Sequence, residues 1–410
     1  MSAPLARERC LACDAGPLTG IVSLGTLPLA NAYPAADASR EEPRFPLDVA
    51  LCPACSLVQL RHVVPPEDMF SEYLYFSSYS GSMLRHAEAL ATSLVQGRGL
   101  GADSLVVEIA SNDGYLLQYF KQQGVPVLGI EPAGNIAAVA ERERGIPTLN
   151  AFFGRELGTR LAGEGRRADV ILGLNVFAHV PDPNGFIAGA RAMLEPGGVI
   201  VIEAPYVRDM VEKVEFDTIY HEHLSYFSVT AVAALVERHG LVLEDVVRVP
   251  IHGGSLRLTI GFGTAHGASA QALLDEERAL GMQEAAYYEP FRRAVEGVRA
   301  DLTRTLAELK AGGATIAGYG AAAKATILLN YCGVDDQLVD FVADRNPHKQ
   351  GRRMPGCGIP IVDASAIAER RPDYVLLFVW NLADEVLRQE AAYREAGGRF
   401  LVAIPKVRVL

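Results

Sequence analysis

The sequence predicts an α/β protein in which two doubly wound domains follow a small cysteine-rich module. Two stretches, from about residue 81 to 250 and from about 251 to 410, alternate apolar runs with helical segments, which is the pattern of βαβ units. Residues 1–80 are instead rich in proline, lack helical periodicity and contain four of the six cysteines. A chain of 410 residues with 50% hydrophobic content can bury two or three separate cores.

The amino-terminal module contains two closely spaced cysteine pairs, Cys10-x-x-Cys13 and Cys52-x-x-Cys55. In a reducing compartment such pairs indicate metal ligation rather than disulfides, and four thiolates around one tetrahedral ion leave no open position for chemistry. We therefore predict a structural zinc site, which supplies folding free energy to a module too small to be held together by apolar burial. Two unrelated reduced cysteine pairs are the alternative.

The middle stretch begins with VVEIASNDGYLL, in which a predicted strand ends in Glu108 and a tight turn over residues 110–114 leads into a helix. The next predicted strand, VPVLGIEP, ends in Glu131, where a carboxylate can accept hydrogen bonds from both hydroxyls of a ribose. Ala110 and Asn112 stand where a dinucleotide enzyme would have glycine close to a pyrophosphate. The turn therefore favours a ligand whose adenosine carries no phosphates. For the whole strand–turn–strand pattern, another nucleotide-binding fold is the alternative.

We predict that this middle domain binds S-adenosylmethionine. After the third strand, Asn150-Ala151-Phe152 could bring an amide and an aromatic face to the adenine ring, or could be an ordinary loop. The predicted cofactor-binding residues are Glu108, Ala110, Asn112, Asp113, Gly114, Glu131, Pro132, Asn150, Ala151, Phe152 and Asn175.

The carboxyl-terminal stretch contains GYGAAAK, which ends a predicted strand and opens a helix. The amino terminus of that helix, together with Lys324, suits a substrate diphosphate. Asp344 follows the next strand in the place of a ribose-binding acid, so a nicotinamide site, which would make this half a reductase, is the alternative. Trp380 in VLLFVWN is predicted to stack on a nucleobase, although a buried core indole is equally consistent with its position.

Charge and hydropathy limit the classes of partner. The formal net charge of -11 gives no cluster of Lys and Arg of the kind that nucleic-acid backbones require. The longest apolar runs, such as VILGLNVFAHV, are shorter than the roughly 20 residues of a membrane helix, and MSAPLARERC has no apolar signal-peptide core. We therefore expect a cytoplasmic protein that binds neither nucleic acid nor membranes, and that is a monomer or weak homodimer.

The segment FDTIYHEHLSYFS concentrates ionisable and hydrogen-bonding side chains: Tyr220, His221, Glu222, His223 and Tyr226. No packed helix face or strand needs this density, so the segment is a predicted active-site loop. Imidazole suits proton abstraction near neutral pH, and a neighbouring carboxylate or phenol can orient it or raise its basicity. Two histidines in one loop could instead ligate a metal, but a third ligand is not evident.

Six segments together resemble the sugar-nucleotide C-methyltransferases, and the similarity runs through essentially the whole chain. They are CxxC…CxxC, EIASNDGYLL, NVFAHVPDP, YHEHLSYFS, HGGSLR and GYGAAAK. The resemblance implies S-adenosylmethionine-dependent methylation of C-3 of a dTDP-4-keto-deoxysugar, in the biosynthesis of branched deoxysugars such as those of antibiotics. It also implies a zinc-binding domain (1–80), a methyl-donor domain (81–250) and a Rossmann-like sugar-nucleotide-binding domain (251–410).

The same resemblance implies roles for individual residues. His223 would be the base that removes the proton next to the ketone, with Tyr220 and Glu222 close by. His179, in NVFAHVPDP, would lie across the pocket and help to hold the enolate oxygen. Such groups are needed because a carbon acid beside a ketone is weak and its carbanion must be stabilised as an enolate by preorganised donors.

Two further sets of residues follow from the resemblance. Tyr75 and Tyr79, in YFSSYS, match an aromatic segment that the zinc module is expected to contribute to the catalytic pocket, and which of the two points inward is left open. The sugar nucleotide is expected to lie between the two large domains. The predicted substrate-binding residues are His221, Tyr226, Gly254, Ser255, Arg257, Lys324 and Trp380.

Three alternatives to the sugar substrate stay open. The same methyl transfer could act on another enolisable substrate, such as a GDP-linked sugar or a keto acid. The chain could combine a methyltransferase with an NAD(P)H-dependent ketoreductase. A zinc adaptor without enzymatic activity is the third, but it leaves the YHEH segment unexplained.

Overall fold

The computed structural model describes residues 5–39, 41–65, 69, 78, 81–251 and 253–410. Within these residues the strands form four sheets, one small pair and three larger sheets. The larger sheets correspond to the cysteine-rich module and to two α/β units, in chain order.

The module is built from five short strands of its own. These are β1 Leu5–Ala6, β2 Thr19–Pro28, β3 Arg44–Leu51, β4 Val58–Leu60 and β5 His62–Val63. β2, β3 and β4 form an antiparallel sheet, and β1 pairs with β5. Alternate residues of β3, Phe45, Leu47 and Val49, are buried, as expected for a strand with one face on the core.

The middle sheet contains seven strands. They are β6 Val106–Ile109, β7 Val127–Ile130, β8 Thr148–Leu149, β9 Ala168–Leu174, β10 Leu194–Pro205, β12 Val242–Val249 and β13 Ser255–Gly261. Their order is β12-β13-β10-β9-β6-β7-β8, with β13 antiparallel to β10 and β12 and the other neighbours parallel. Because β13 belongs to this sheet, the sheet continues beyond the boundary at residue 250 that the sequence predicts.

One further strand links the middle unit to the module. β11, Ser225–Tyr226, lies within the predicted active-site segment. It pairs antiparallel with β4, with Ser225 opposite Gln59 and Tyr226 opposite Val58. The segment that carries the candidate catalytic residues is therefore hydrogen-bonded directly to the cysteine-rich module.

The carboxyl-terminal sheet contains six strands. They are β14 Ile316–Tyr319, β15 Phe341–Asp344, β16 Ile361–Asp363, β17 Tyr374–Leu377, β18 Arg399–Val402 and β19 Arg408–Val409. Their order is β16-β15-β14-β17-β18-β19, and β19 is antiparallel to β18. The chain order reverses direction beside β14, as it does beside β6 in the middle sheet, and ligands of such sheets bind at the carboxyl ends of the strands at this point.

Helices cover the middle sheet and the carboxyl-terminal sheet, which is why the parallel strands of these two sheets are almost wholly apolar. The α-helices are Gly81–Arg98, Leu117–Gln122, Gly134–Arg144, Arg155–Gly163, Pro183–Met193, Val207–Glu212, Val229–Glu237, Ala268–Ala279, Ala285–Ala311, Ala323–Cys332, Ala366–Arg370, Ala383–Gln389 and Ala391–Glu395. Among the fully described segments, 3-10 turns lie at Phe177–His179, Phe216–Thr218 and Trp380–Leu382. None of the described helices combines the length and the apolar composition of a membrane span.

Candidate active site

The four cysteines of the module come together. Their sulfur atoms lie within 4.8 Å of one another, with 3.5 Å between the sulfurs of Cys10 and Cys55 and 3.5 Å between those of Cys13 and Cys52. Four thiolates at about 2.3 Å from a tetrahedral zinc ion stand roughly 3.8 Å apart, so the set fits one zinc ion. No coordination position is left for water or substrate, which makes the zinc structural.

The turn after β6 has the backbone that a close ligand requires. Ala110, Asn112 and Gly114 have φ angles of 53°, 49° and 76°, and positive φ is uncommon for residues other than glycine. At Gly114 a Cβ would also lie 3.0 Å from Cγ1 of Ile146. The predicted cofactor turn is therefore a strained, tightly packed loop rather than an ordinary connection.

Glu131 fixes this turn from the neighbouring strand. Its Oε2 accepts a hydrogen bond of 2.9 Å from the N–H of Asn112, and its Oε1 accepts one of 2.8 Å from the N–H of Ala133. Each oxygen keeps a second lone pair, so the carboxylate can also accept the hydroxyls of a ribose. Burial raises the pKa of Glu131, and the two N–H groups oppose that shift.

Four buried polar atoms at this edge of the sheet have no hydrogen-bond partner among the described residues. They are Oε2 of Glu108, Oγ of Ser111, Oδ1 of Asp113 and Oδ1 of Asn175. Buried polar groups are normally paired, so these atoms indicate a polar ligand. Burial, followed by the charges of Glu131 and Asp113, raises the pKa of Glu108 well above its usual value. A ligand with a positive charge and hydroxyl groups, as S-adenosylmethionine has, fits this donor and acceptor set.

The residues predicted to meet adenine follow β8. Nδ2 of Asn150 donates to the carbonyls of Glu131 and Pro132, both at 2.8 Å, which leaves Oδ1 as an acceptor for an exocyclic amine. Phe152 is 49% exposed, so its ring is accessible, whereas Ala151 packs against the core. Asn150 thus lies beside Glu131, and the contact of these three residues with adenine stays a prediction.

His223 is held in one tautomer. Its Nδ1 lies 2.8 Å from the carbonyl oxygen of Thr218, which can only accept, so Nδ1 carries the hydrogen. Its Nε2 lies 2.8 Å from the hydroxyl of Tyr220, and that hydroxyl therefore donates to it. The basic nitrogen of the imidazole consequently points at Tyr220.

His179 and Tyr226 lie around the same imidazole. The rings of His179 and His223 are 4.9 Å apart between centroids and nearly perpendicular, and Tyr226 lies edge to face at 6.4 Å from His223. Burial lowers the pKa of His179 to about 4, so it is neutral near pH 7 and can donate one N–H. Burial also raises the pKa of Tyr226 well above its usual value, which keeps this phenol neutral. These side chains make up a compact group able to accept one proton and stabilise one developing negative charge.

His221 does not join this group. It is 1% exposed, its Nε2 lies 3.1 Å from the carbonyl oxygen of Phe45, and its ring packs edge to face on that phenylalanine. The prediction that His221 contacts substrate is therefore not supported, because its side chain is taken up by Phe45 of the module. Within the described residues the one cluster able to hold a metal is the four cysteines, so the YHEH histidines do not form one.

Glu222 points towards a partner that the sequence does not suggest. Its carboxylate is buried and accepts a hydrogen bond of 2.6 Å from Nδ2 of Asn31, in the cysteine-rich module. Sequence reasoning missed Asn31, because no local pattern marks a residue whose partner lies 191 positions away. Ser111, also missed, could have been found from its position inside the cofactor turn.

Tyr75 and Tyr79 lie outside the described residues. Ser78, between them, is described, and its Oγ donates to Oδ2 of Asp113 at 2.5 Å. This contact places one residue of the predicted aromatic segment against the cofactor turn. The pocket-lining roles of the two tyrosines stay predictions.

Lys324 and Trp380 lie at the start of the predicted active-site segment, at Asp217. Nε1 of Trp380 donates to Oδ2 of Asp217 at 2.8 Å, and the ammonium of Lys324 lies 4.1 Å from the centre of the indole. One face of Trp380 is thus covered by Lys324, so a nucleobase could stack only on the other. Burial raises the pKa of Asp217 to about 6 and that of Glu215 to about 7, and the charge of Lys324 opposes both shifts.

The HGGSLR residues have structural partners. Nε of Arg257 donates to the fully buried Glu203 at 2.6 Å, and the other carboxylate oxygen of Glu203 lies 2.7 Å from Nε2 of His86. Ser255 is buried and its hydroxyl donates to the carbonyl of Ile251. Their expected substrate contacts are therefore not supported for Ser255, whose hydroxyl closes its own loop, whereas Arg257 keeps donors beyond its ion pair.

Gly254 has a steric reason to be glycine. Its φ is 141°, and a Cβ there would lie 2.5 Å from Oδ2 of Asp209. The glycine therefore lets the loop pack on a buried carboxylate, which is independent of any ligand.

Family models match three consecutive parts of the chain. A putative zinc binding domain matches residues 10–70, a methyltransferase domain matches 83–246, and a C-methyltransferase C-terminal domain matches 250–405. Among characterised relatives, C-methyltransferase NovU of Streptomyces niveus is 39% identical over 407 residues, which cover 98% of this chain and 97% of NovU.

Two other similarities cover less than half of the chain. A ubiquinone biosynthesis O-methyltransferase of Azorhizobium caulinodans is 28% identical over 120 residues, 29% of this chain and 46% of that enzyme. The crystal structure of magnesium protoporphyrin IX methyltransferase from Synechocystis PCC 6803 with bound SAM matches with 13% identity and a TM-score of 0.34, over 44% of this chain and 79% of that one. The full-length relative and the three consecutive domain matches place this chain in the C-methyltransferase family, as an S-adenosylmethionine-dependent enzyme with an amino-terminal zinc-binding domain.

Proposed function

We propose that this C-methyltransferase removes the proton from C-3 of a dTDP-4-keto-deoxysugar and methylates the resulting enolate carbon. The observation that carries the proposal is the tautomer of His223, whose basic Nε2 is directed into a group of neutral hydrogen-bond donors. A base of this kind is what carbon acidity next to a ketone requires, and O- or N-methylation of an already nucleophilic atom needs much less.

In the first step the C-3 proton passes to Nε2 of His223. The hydrogen bond from Nδ1 to the carbonyl of Thr218 holds the ring and stabilises the imidazolium that forms. The hydroxyl of Tyr220, which rests on Nε2 before substrate binds, is then able to turn to the enolate oxygen. The electrons of the C–H bond become those of the enolate, so the ring gains a positive charge and the substrate oxygen a negative one.

His179 and Tyr220 then stabilise the enolate oxygen. Because burial lowers the pKa of His179 to about 4, this imidazole stays neutral and donates a hydrogen bond without competing for the proton. S-adenosylmethionine supplies the electrophilic methyl group, and Glu108, Asp113, Glu131 and Asn175 are the residues that would hold it. Holding the enolate carbon about 3–3.5 Å from that methyl group makes the transfer effectively intramolecular.

The carboxyl-terminal domain supports a nucleotide-linked substrate. Gly320 has a φ of 90°, and a Cβ there would lie 2.8 Å from Cγ1 of Val379, so the turn between β14 and the helix Ala323–Cys332 requires glycine. Such a turn exposes the amino terminus of a helix, and Lys324 is next to it. A diphosphate between the two large domains would use both.

The test is turnover of dTDP-4-keto-6-deoxysugars that differ at C-2 and C-3. We expect release of S-adenosylhomocysteine, a product heavier by one methyl group, and loss of the C-3 proton. His223→Gln should abolish turnover while S-adenosylhomocysteine still binds, and His266→Gln, which replaces an imidazole outside the site, should not. Turnover of a GDP-linked sugar or a keto acid instead would leave the role of His223 as base intact and would overturn the dTDP-linked sugar as the methyl acceptor.

A further inference from the structure

A short segment of the zinc-binding module reaches beyond the metal centre. Residues 30–33 follow β2 and lie between the catalytic segment and the carboxyl-terminal domain. The carbonyl of Ala30 accepts a hydrogen bond of 2.9 Å from Oγ1 of Thr326, and the hydroxyl of Tyr33 donates to the carbonyl of Ala321 at 2.7 Å. The segment is therefore attached to the turn at the end of β14.

The same segment also holds the catalytic loop. Nδ2 of Asn31 donates to Oε1 of Glu222 at 2.6 Å, and the hydroxyl of Tyr33 lies 3.3 Å from Oδ1 of Asn31. Glu222 and Tyr33 are each 5% exposed. A hydrogen bond to a buried carboxylate is stronger than one between neutral groups, so losing it costs more than losing an ordinary hydrogen bond.

The turn that Tyr33 contacts is rigid. Oδ2 of Asp344 accepts from the N–H of Ala321 at 2.6 Å and Oδ1 accepts from the N–H of Asn346 at 2.7 Å, which repeats the way Glu131 holds the cofactor turn. The ammonium of Lys349 donates to the carbonyl of Ala321 at 2.6 Å and lies 4.7 Å from the ring of Tyr33. The peptide of Ala321 is thus held from both sides, and Tyr33 is anchored to a fixed point.

We infer that Asn31 is a positioning residue for methyl transfer, which holds Glu222, the residue before the catalytic base in the chain, and, through Tyr33, ties the catalytic loop to the substrate-binding turn of the carboxyl-terminal domain. The inference rests on the proposed function, since it takes His223 as the base. Asn31 touches neither cofactor nor substrate in this account. Its effect passes through the carboxylate that follows His221 and precedes His223 in the chain.

The charges around Glu222 explain why position 31 requires an amide rather than a carboxylate. Burial raises the pKa of Tyr33 and lowers that of Lys349, and the negative charges of Asp344 and Glu222 push both pKa values upward. His221 and His223 flank Glu222 in its own loop. An aspartate at position 31 has the shape of asparagine but places a carboxylate where the donor was. A like charge at that distance raises the pKa of the carboxyl pair, so the two groups share a proton at low pH and repel each other once both are ionised.

The experiment compares Asn31→Asp with the wild type from about pH 6 to pH 8.5. Two rates are measured: kcat for methyl transfer, and exchange of the C-3 proton into D₂O in the presence of S-adenosylhomocysteine. We expect Asn31→Asp to lose at least about tenfold in both rates at pH 8, where the two carboxylates repel. Below about pH 6.5 the shared proton restores a hydrogen bond between them, so the loss should shrink to about threefold or less.

Zinc content and S-adenosylhomocysteine affinity report on folding and should equal those of the wild type. Asn184→Asp is the matched control. Nδ2 of Asn184 also links the module to the middle domain, by donating to the carbonyl of Ala12, but this contact does not involve Glu222. It should keep the wild-type pH profile. A pH profile of Asn31→Asp parallel to that of the wild type would overturn the positioning role. Absence of wild-type turnover on any ketosugar would overturn the proposed function and this inference with it.

Discussion

Glu131 is the residue on which the cofactor turn depends most directly. Its two carboxylate oxygens each hold one backbone N–H, and the turn it fixes contains non-glycine residues at positive φ. Such a backbone persists only when surrounding groups determine it, at a cost of about 1–3 kcal/mol per strained residue. One side chain therefore shapes the loop and remains available to the ribose.

Glu131→Gln should weaken cofactor binding. An amide has one acceptor atom instead of two, so either Asn112 or Ala133 loses its partner and a ribose hydroxyl loses a charged acceptor. We expect the Kd for S-adenosylhomocysteine, measured by calorimetry, to rise at least tenfold, or about 1.4 kcal/mol. Glu143→Gln, an exposed acid of the following helix, should leave that Kd unchanged. An equal Kd for Glu131→Gln and the wild type would contradict this role.

At the scale of elements, the zinc-binding module contacts and supports the candidate active site. β11 pairs with β4, and Asn31 contacts Glu222, so two separate parts of the module support the catalytic loop. The knuckle around Cys10 also contacts the middle domain, since Nδ2 of Asn184 donates to the carbonyl of Ala12. Loss of the metal should therefore affect chemistry before it affects cofactor binding.

Cys52→Ser should separate these two properties. Serine is a poor zinc ligand, and metal binding contributes directly to the folding free energy of such modules. We expect zinc content, measured by atomic absorption, to fall well below that of the wild type and turnover to be lost, while S-adenosylhomocysteine binds with an affinity within about threefold. Cys357→Ser, a buried thiol outside the cluster, should keep its zinc. Full activity without zinc would refute the supporting role.

In the whole molecule, buried carboxylates lie where the middle and carboxyl-terminal domains meet. Asp217 accepts from Trp380 across this junction, and Glu215 is near both Lys324 and Lys213. Glu215 is 3% exposed and has Asp217 and Asp209 as additional acidic neighbours. Its burial outweighs the nearby lysines, which is why its pKa rises to about 7.

This shift predicts a pH dependence of stability. In the unfolded chain Glu215 ionises near its ordinary value of 4.5, whereas in the fold it stays protonated up to about pH 7. Its contribution to the free energy of unfolding is thus fully present below about pH 4.5 and is lost as the pH rises to about 7, by at most about 1.4 kcal/mol per pH unit. Denaturation midpoints measured across this range should fall less steeply for Glu215→Gln than for the wild type. The exposed control Glu308→Gln should follow the wild type, and parallel curves for Glu215→Gln would contradict the shift.

Local sequence determined those features whose physical cause is local. Two CxxC pairs specify thiolate ligation, and a strand followed by a turn and an acid at the end of the next strand specifies the adenosine half of a nucleotide site. The density of ionisable groups from Tyr220 to Tyr226 marked the catalytic segment because no packing role needs it. The four cysteines accordingly come together as the sequence predicts, and Glu131 holds the turn for which cofactor binding is predicted.

Only the tertiary structure decided which neighbouring side chains share a site. His221 and His223 are two residues apart and would share one face of an extended strand. They lie instead in a turn, closed by the hydrogen bond from the N–H of His223 to the carbonyl of Tyr220, so His221 packs on Phe45 while His223 meets Tyr220. The partnership of Asn31 with Glu222 likewise depends on contacts between residues distant in the chain. Hydrogen bonds of this kind follow from how sheets and domains pack, and a sequence pattern records only the periodicity within each element.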